Sequence, residues 1–290
     1  MTNTLEHMRR KISGAEQLDS VVRTMKAQAA SNITQYENAV LALGDYYRTV
    51  ELGLTAYFCQ NKTVAPTPQK PHRFTAIIFG SDQGLVGTFN DQLGDSLKKH
   101  LAAQHHQSQT SFWTVGERIC DNLTEAGLSI EKSFDAPSSI TAITALVGQI
   151  LKECVENRTQ DDNTEIRVFY NRLHASTVYE PTSLKLLPLD KSWQNDIASH
   201  KWPHNNMPEL IECPSAPILR ALIHEFLFIS LYRACAESLA SENASRLAAM
   251  QRAEKNISAL MIELKQTSRI LRQNVIDEEL FDVIAAFKGY

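Results

Sequence analysis

From Ile218 to Lys288 the chain reads ILRALIHEFLFISLYRACAESLASENASRLAAMQRAEKNISALMIELKQTSRILRQNVIDEELFDVIAAFK, with neither proline nor glycine. At about 1.5 Å per residue this predicts a single helix of roughly 100 Å. Most helical stability in proteins comes from packing of an apolar face, so a helix of this length requires a partner. Its apolar positions recur in steps of three and four: Leu222, Phe226, Ile229, Ala236, Ala240, Leu247, Met250, Ile257, Leu260, Leu264, Leu271 and Val275. That spacing is a coiled-coil seam. Around its middle the residues are small (Ala234, Ala236, Ser238, Ala240, Ser241, Ala244, Ser245, Ala248, Ala249), which predicts close approach of another helix.

A second long pattern supplies the partner. Leu5, Met8, Ile12, Ala15, Leu18, Val22, Met25, Ala29, Ile33, Tyr36, Val40, Leu43, Tyr47, Val50 and Leu54 keep the same alternation from Leu5 to Phe58. Gly14, Gly44 and Gly53 lie inside it, each costing about 1 kcal/mol relative to alanine, so bends or partial breaks are expected there. The first proline is Pro66, in a Pro-Thr-Pro-Gln-Lys-Pro linker that ends the helical segment.

Between the two helices the pattern changes to short apolar runs alternating with helical ones, as in a mostly parallel βαβ sheet. Strands are expected at Phe74–Phe79, Ser111–Val115, Ser129–Phe134, Glu165–Tyr170 and Ser183–Leu187. Helices are expected at Asp91–Ala103, Glu117–Ala126 and Ile140–Val155, and a polar connection runs from Lys191 to Pro214. The fold class is therefore α/β: a long antiparallel two-helix coiled coil formed by the N- and C-terminal helices, carrying an inserted Rossmann-like α/β domain. Its parts are expected at 1–61, 73–190 and 215–290.

The formal net charge of −4 over 290 residues provides no basic excess, which argues against nucleic-acid binding. Cys59, Cys120, Cys154, Cys213 and Cys235 are scattered, without a CxxC pair, as free thiols in a reducing compartment would be. No secretory h-region and no run of membrane-spanning length occurs, so the expectation is an intracellular protein, at most peripheral to a membrane.

The most site-like segment is Gly80-Ser-Asp-Gln-Gly-Leu-Val-Gly87, placed between a strand and a helix where a phosphate could meet helix amides. It matches neither GxGxxG nor GxxxxGK[ST] and no lysine follows, so a tight turn needing glycine torsions is favoured over a nucleotide site. His100, His105 and His106 read as surface histidines of a polar loop, with no carboxylate or cysteine at ligand spacing. No nucleophile elbow or triad can be assembled, so catalytic, cofactor-binding and metal residues are all expected to be absent. The charges Glu237, Glu242, Arg246, Arg252 and Glu254 read as a solvated face, or as contact points if the helices work against other subunits.

Several blocks together resemble the gamma subunit of F-type ATP synthases. They are Thr4-Leu-Glu-His-Met-Arg-Arg-Lys-Ile12, Val22-Arg-Thr-Met-Lys26 with Ala29-Ala-Ser31, Gly80-Ser-Asp-Gln-Gly-Leu85 with Gly87 and Phe89-Asn90, Tyr170-Asn171, and Leu186-Leu-Pro-Leu-Asp190. The most specific is Glu237-Ser-Leu-Ala-Ser-Glu-Asn-Ala-Ser-Arg-Leu-Ala-Ala-Met250, followed by Arg272-Gln273 and Glu279-Leu280. The resemblance implies a central rotor shaft without bound cofactor, standing in a ring of three alpha and three beta subunits. Its α/β domain would sit near the epsilon subunit and the membrane c-ring, on the cytoplasmic side of a bacterial inner membrane. It places Met25 opposite the beta-subunit lever and Arg272 with Gln273 against the beta-subunit catch loop. Glu242, Arg246 and Glu279 complete the implied subunit contacts.

Departures from the family pattern are also present. Gln83, Val86 and Thr88 stand where arginine, cysteine and glycine are usual, and Asn32-Ile-Thr-Gln35 replaces a basic cluster. The Tyr46–Gly53 stretch looks more like the divergent second-operon lineage, the N-type ATPases. Two alternatives remain open: a non-rotary coiled-coil scaffold or adaptor, and a small-molecule enzyme using the Gly80–Gly87 turn.

Overall fold

The computed structural model describes residues 2–60, 73–104, 109–160, 164–174, 178–189, 191–200, 202–203 and 215–288. The Pro66 linker, His105, His106, Asp190, Cys213 and most of the stretch leading to Pro214 lie outside the described residues. In chain order the elements are α1 (Thr2–Gln60), β1 (Arg73–Phe79), α2 (Phe89–Gln104), β2 (Gln109–Val115), α3 (Glu117–Glu125) and β3 (Ile130–Phe134). They continue with α4 (Ile140–Gln160), β4 (Thr164–Arg172), β5 (Glu180–Leu187), α5 (Lys191–Ser199) and α6 (Ser215–Lys288). The chain forms two compact units, residues 31–245 and residues 1–30 with 246–290, whose boundary falls inside α1 and α6.

In the larger unit the sheet order is β3-β2-β1-β4-β5. The first four strands are parallel and β5 returns antiparallel on β4. Central β1 is the run Phe74-Thr-Ala-Ile-Ile-Phe79, apolar but for Thr75 and buried throughout, as required of a strand covered on both faces. On one face Phe74, Ala76 and Ile78 meet Leu93 and Leu97 of α2 and Ile119 and Leu123 of α3. On the other, Ile77 and Phe79 share a core with Ile143, Val147 and Ile150 of α4, Leu231, Cys235 and Leu239 of α6, and Tyr36 of α1. The small residues of α6 thus admit the sheet as well as a helix. Ser238 Oγ donates to the Phe79 carbonyl at 2.9 Å.

α5 occupies part of what the sequence presented as a polar connection. Its nine residues carry too little pattern to register, yet Ile197 is buried among Val50, Leu54, Phe226 and Ile229, and the Trp193 ring lies 5.0 Å from that of Phe226. α1 is unbroken across all three of its glycines. At Gly53 a Cβ would come within 2.9 Å of Leu222 Cδ2, so that glycine serves close approach rather than bending.

In the smaller unit α1 and α6 run antiparallel, as the pairs Glu16–Lys265 (3.5 Å) and Lys26–Glu254 (2.6 Å) require. The seam differs from the apolar pattern by one residue at two places. Leu18 is 58% exposed while Asp19 turns inward, and Leu260 is 47% exposed while Met261 is half-buried. Hydrophobic spacing alone misplaced both by one residue.

Among the described thiols Cys59 is exposed, Cys120 half-buried, and Cys154 and Cys235 buried. Burial pushes the Cys154 thiol up to about 12 and raises that of Cys235 further, whereas Cys59 is exposed. Since the thiolate is the reacting form, iodoacetamide at pH 8 is expected to alkylate Cys59 while Cys154 and Cys235 stay unmodified until denaturant is added. Peptide mass mapping checks this, and early labelling of Cys154 would contradict the packing of α4.

Candidate partner-contact surface

In an open α/β sheet, ligands bind outside the carboxyl ends of the strands where the strand order reverses. Here that crevice lies between β1 and β4, next to the Gly80–Gly87 turn, and the protein's own chain fills it. Ser245 Oγ of α6 donates to the Val86 carbonyl at 2.5 Å. Asn171, fully buried at the end of β4, donates from Nδ2 to the Phe89 carbonyl at 3.0 Å. The Ser81 amide donates to Asn90 Oδ1 at 3.2 Å, and Asn90 Nδ2 donates to Ser81 Oγ at 2.9 Å. Even the nearby start of α3 is served from within, since the Glu117 amide donates to Asp82 Oδ1 at 3.0 Å. An anion there would compete with a resident carboxylate.

The glycines of the turn have structural causes. A Cβ at Gly80 would lie 2.3 Å from that of Ile119. Gly87 (φ 58°) and Leu85 (φ 63°) are both left-handed, whereas Gly84 has a φ open to other residues and free space around it. The expected tight turn is therefore present, but its left-handed torsions fall at Leu85 and Gly87. No ATP binding to the isolated chain is expected by calorimetry, and Gly84→Ala should change neither this nor the melting temperature. Micromolar binding lost in Gly84→Ala would reinstate the turn as a ligand site.

Among the described residues no group of three or more His, Cys, Asp or Glu side chains could hold a metal ion. His100 belongs to α2 rather than to a loop, and its ring lies 5.3 Å from Phe169 and 6.2 Å from Phe74. Two of the charges expected on a solvated face are interior: Glu237 is 8% and Glu242 6% exposed. Glu237 accepts from Arg233 Nε at 2.8 Å and lies 3.7 Å from Arg172 Nε. Burial, with the charge and hydrogen bond of Glu237, pushes the Tyr170 phenol up to about 12. This inward group ties α6 to β4, and only its burial, invisible in the sequence, distinguishes it from surface charge.

The residues implied as subunit contacts fall into two sets. Glu242, in the larger unit, is buried, and Arg246, in the smaller, is half-buried with its Nε enclosed. Arg272, Gln273 and Glu279 are exposed on the last third of α6, and Met25 is half-buried beside Lys26 on α1. The smaller unit also presents exposed Leu18, Val21, Ile262, Ile270, Ile276, Leu280 and Phe281. Exposed apolar residues in this number on two paired helices make this unit the candidate contact surface.

With the crevice between β1 and β4 occupied by the protein's own chain, the exposed apolar residues of the helix pair are the candidate contact surface. The ATP synthase family model matches residues 4–289, and the chain belongs to that family. It is similar to the ATP synthase gamma chain of Ruthia magnifica subsp. Calyptogena magnifica, 24% identical over 285 residues and covering 97% of each chain. It is also similar to that of Malacoplasma penetrans, 23% identical over 291 residues with 99% of each chain covered. Among solved structures, a chain of the Euglena gracilis mitochondrial ATP synthase, from its OSCP/F1/c-ring portion, shares the fold with a TM-score of 0.68 at 17% identity, over 100% of this chain and 95% of that one. A chain of the Tetrahymena thermophila central stalk and c-ring aligns with a TM-score of 0.55 at 20% identity, over 80% and 99%.

Proposed function

We propose that the chain is the gamma subunit, the rotor shaft, of an F-type ATP synthase or ATPase, coupling rotation of a membrane c-ring to ATP synthesis or hydrolysis in a ring of alpha and beta subunits. The observation that carries this is the match of the gamma-chain relatives over nearly the full length, together with paired helices that expose apolar residues. The chain itself makes and breaks no bond. Its two long helices contact each beta subunit differently, so rotation moves the catalytic sites through different affinities. The working parts are the helix of 1–61, the α/β domain of 73–190 and the helix of 215–290. The epsilon subunit and c-ring meet the α/β part, on the cytoplasmic side of a bacterial inner membrane. Among the described residues no helix is long and apolar enough to cross it, so attachment is through the complex. Met25, Arg272, Gln273 and Glu279 are the contact residues with accessible surface; Glu242 and Arg246 support α6, which presents the last three.

Co-expression with alpha and beta subunits tests this. The expected outcome is a complex containing this chain that hydrolyses ATP, with rotation of a bead fixed to the α/β part. Purification of the chain with other proteins and without alpha or beta would favour the scaffold reading instead.

A further inference from the structure

Within the smaller unit, apolarity alone would seat Ala15, Leu18, Val22, Met25 and Ala29 in the seam, a continuous three-four spacing. The structure keeps Ala15, Val22 and Ala29 inside but turns Asp19 inward in place of Leu18 and draws Lys26 in to the same half-buried level as Met25, with Leu18 and Val21 more than half exposed. On α6 the inward column likewise falls on Glu254 and Met261, leaving Leu260 outside. Four charged groups meet where the two columns cross. Lys26 Nζ donates to Glu254 Oε2 at 2.6 Å, Arg23 Nε donates to Asp19 Oδ2 at 2.9 Å, and the same Nε lies 3.7 Å from Glu254 Oε1. The Asp19 side chain is only 17% exposed and its Oδ1 is buried without a hydrogen bond to a described residue, a placement that costs free energy.

We propose that Asp19, Arg23, Lys26 and Glu254 form a phase lock, which fixes the rotation of α1 about its own axis against α6 and holds Leu18, Val21 and Leu260 outside. Polar residues in a seam specify register and orientation at a cost in stability, and here two nearly equivalent apolar columns give them something to decide. Without the lock, the column Leu18–Met25 buries more apolar surface than Asp19–Lys26, and the helices turn to use it. In the proposed rotor the lock sets which apolar face is offered to the surrounding subunits; the lock itself does not depend on that reading.

The test is alkylation of Leu18→Cys and Leu260→Cys in the isolated full chain, followed peptide by peptide, with Ser20→Cys as an outward-facing control. In the parent background all three should react readily. In Lys26→Met/Glu254→Leu, rates at Leu18→Cys and Leu260→Cys should fall about tenfold as these positions turn inward, while Ser20→Cys is unchanged. The charge-swapped Lys26→Glu/Glu254→Lys should return parent rates. Unchanged labelling at both positions in the apolar variant overturns the lock, as does a swapped pair that labels like the apolar variant. Should the apolar variant lose helicity, the swap against Lys26→Glu alone decides: equal labelling in those two rejects the proposal.

Discussion

Gly116→Ala is expected to melt roughly 10 °C below the parent. Gly116 links β2 to α3 with φ 109° and ψ 136°, a conformation that L side chains rarely adopt. An added Cβ would also lie 2.7 Å from the carbonyl carbon and oxygen of Ser81, which are backbone and cannot rotate away. Backbone strain of this kind costs about 1–3 kcal/mol, and overpacking adds about 1–3 kcal/mol. Relief by movement is blocked, because the Gly116 amide donates to the Phe134 carbonyl at 2.8 Å and the Gly80 amide to the Val115 carbonyl at 2.9 Å. Gly14→Ala is the contrast. It sits in α1 with nothing within 4 Å of the new Cβ, and should raise stability by about 0.5–1 kcal/mol. Thermal melts of the three chains followed by circular dichroism decide it; a Gly116→Ala protein melting within two degrees or so of the parent would mean that the β2–α3 corner is not packed as described.

The elements of this fold were legible where their pattern was long or continuous. The β1 run and the two long helices announce themselves because a strand buried on both faces and a helix of many turns leave repeated signals. α5 leaves almost none, since a nine-residue helix anchored by Ile197 and Trp193 has no period to detect. Seam membership was legible to within one residue: periodicity cannot say that Lys26 meets Glu254, that Arg23 meets Asp19, or that Asp19 turns inward while Leu18 goes out. The Gly80–Gly87 turn could be doubted as a phosphate site from its missing lysine. That Ser238 and Ser245 close it from 159 residues away is a long-range fact that only the fold supplies. The small-residue stripe of α6 was visible, but its second partner, the carboxyl edge of the sheet, was not.

The contact residues are the part on which sequence and fold say least, and Arg272→Ala is where an experiment says most. Arg272 is exposed and makes no ion pair with another described residue, so its truncation should leave helicity and melting temperature within about 0.5 kcal/mol of the parent. A change in activity then reports a partner. Met25 is a less clean probe, because Met25→Lys would put a second ammonium beside Lys26 and compete for Glu254, whose carboxyl the Lys26 hydrogen bond already holds below its usual range. By the resemblance, Arg272 with Gln273 faces the beta-subunit catch loop. A charge-assisted hydrogen bond to that loop is worth about 1.5–3 kcal/mol, against about 0–1 kcal/mol for a solvated surface charge. If that bond is made only in the rate-limiting state of the turn, its loss slows steady-state hydrolysis by about tenfold to a hundredfold. The expected result is therefore a complex with alpha and beta subunits that assembles normally with Arg272→Ala, hydrolyses ATP at least about tenfold more slowly, and contains a chain of unchanged stability. Hydrolysis within about twofold of the parent would place Arg272 on the solvated side of α6 and return the catch-loop contact to some other residue.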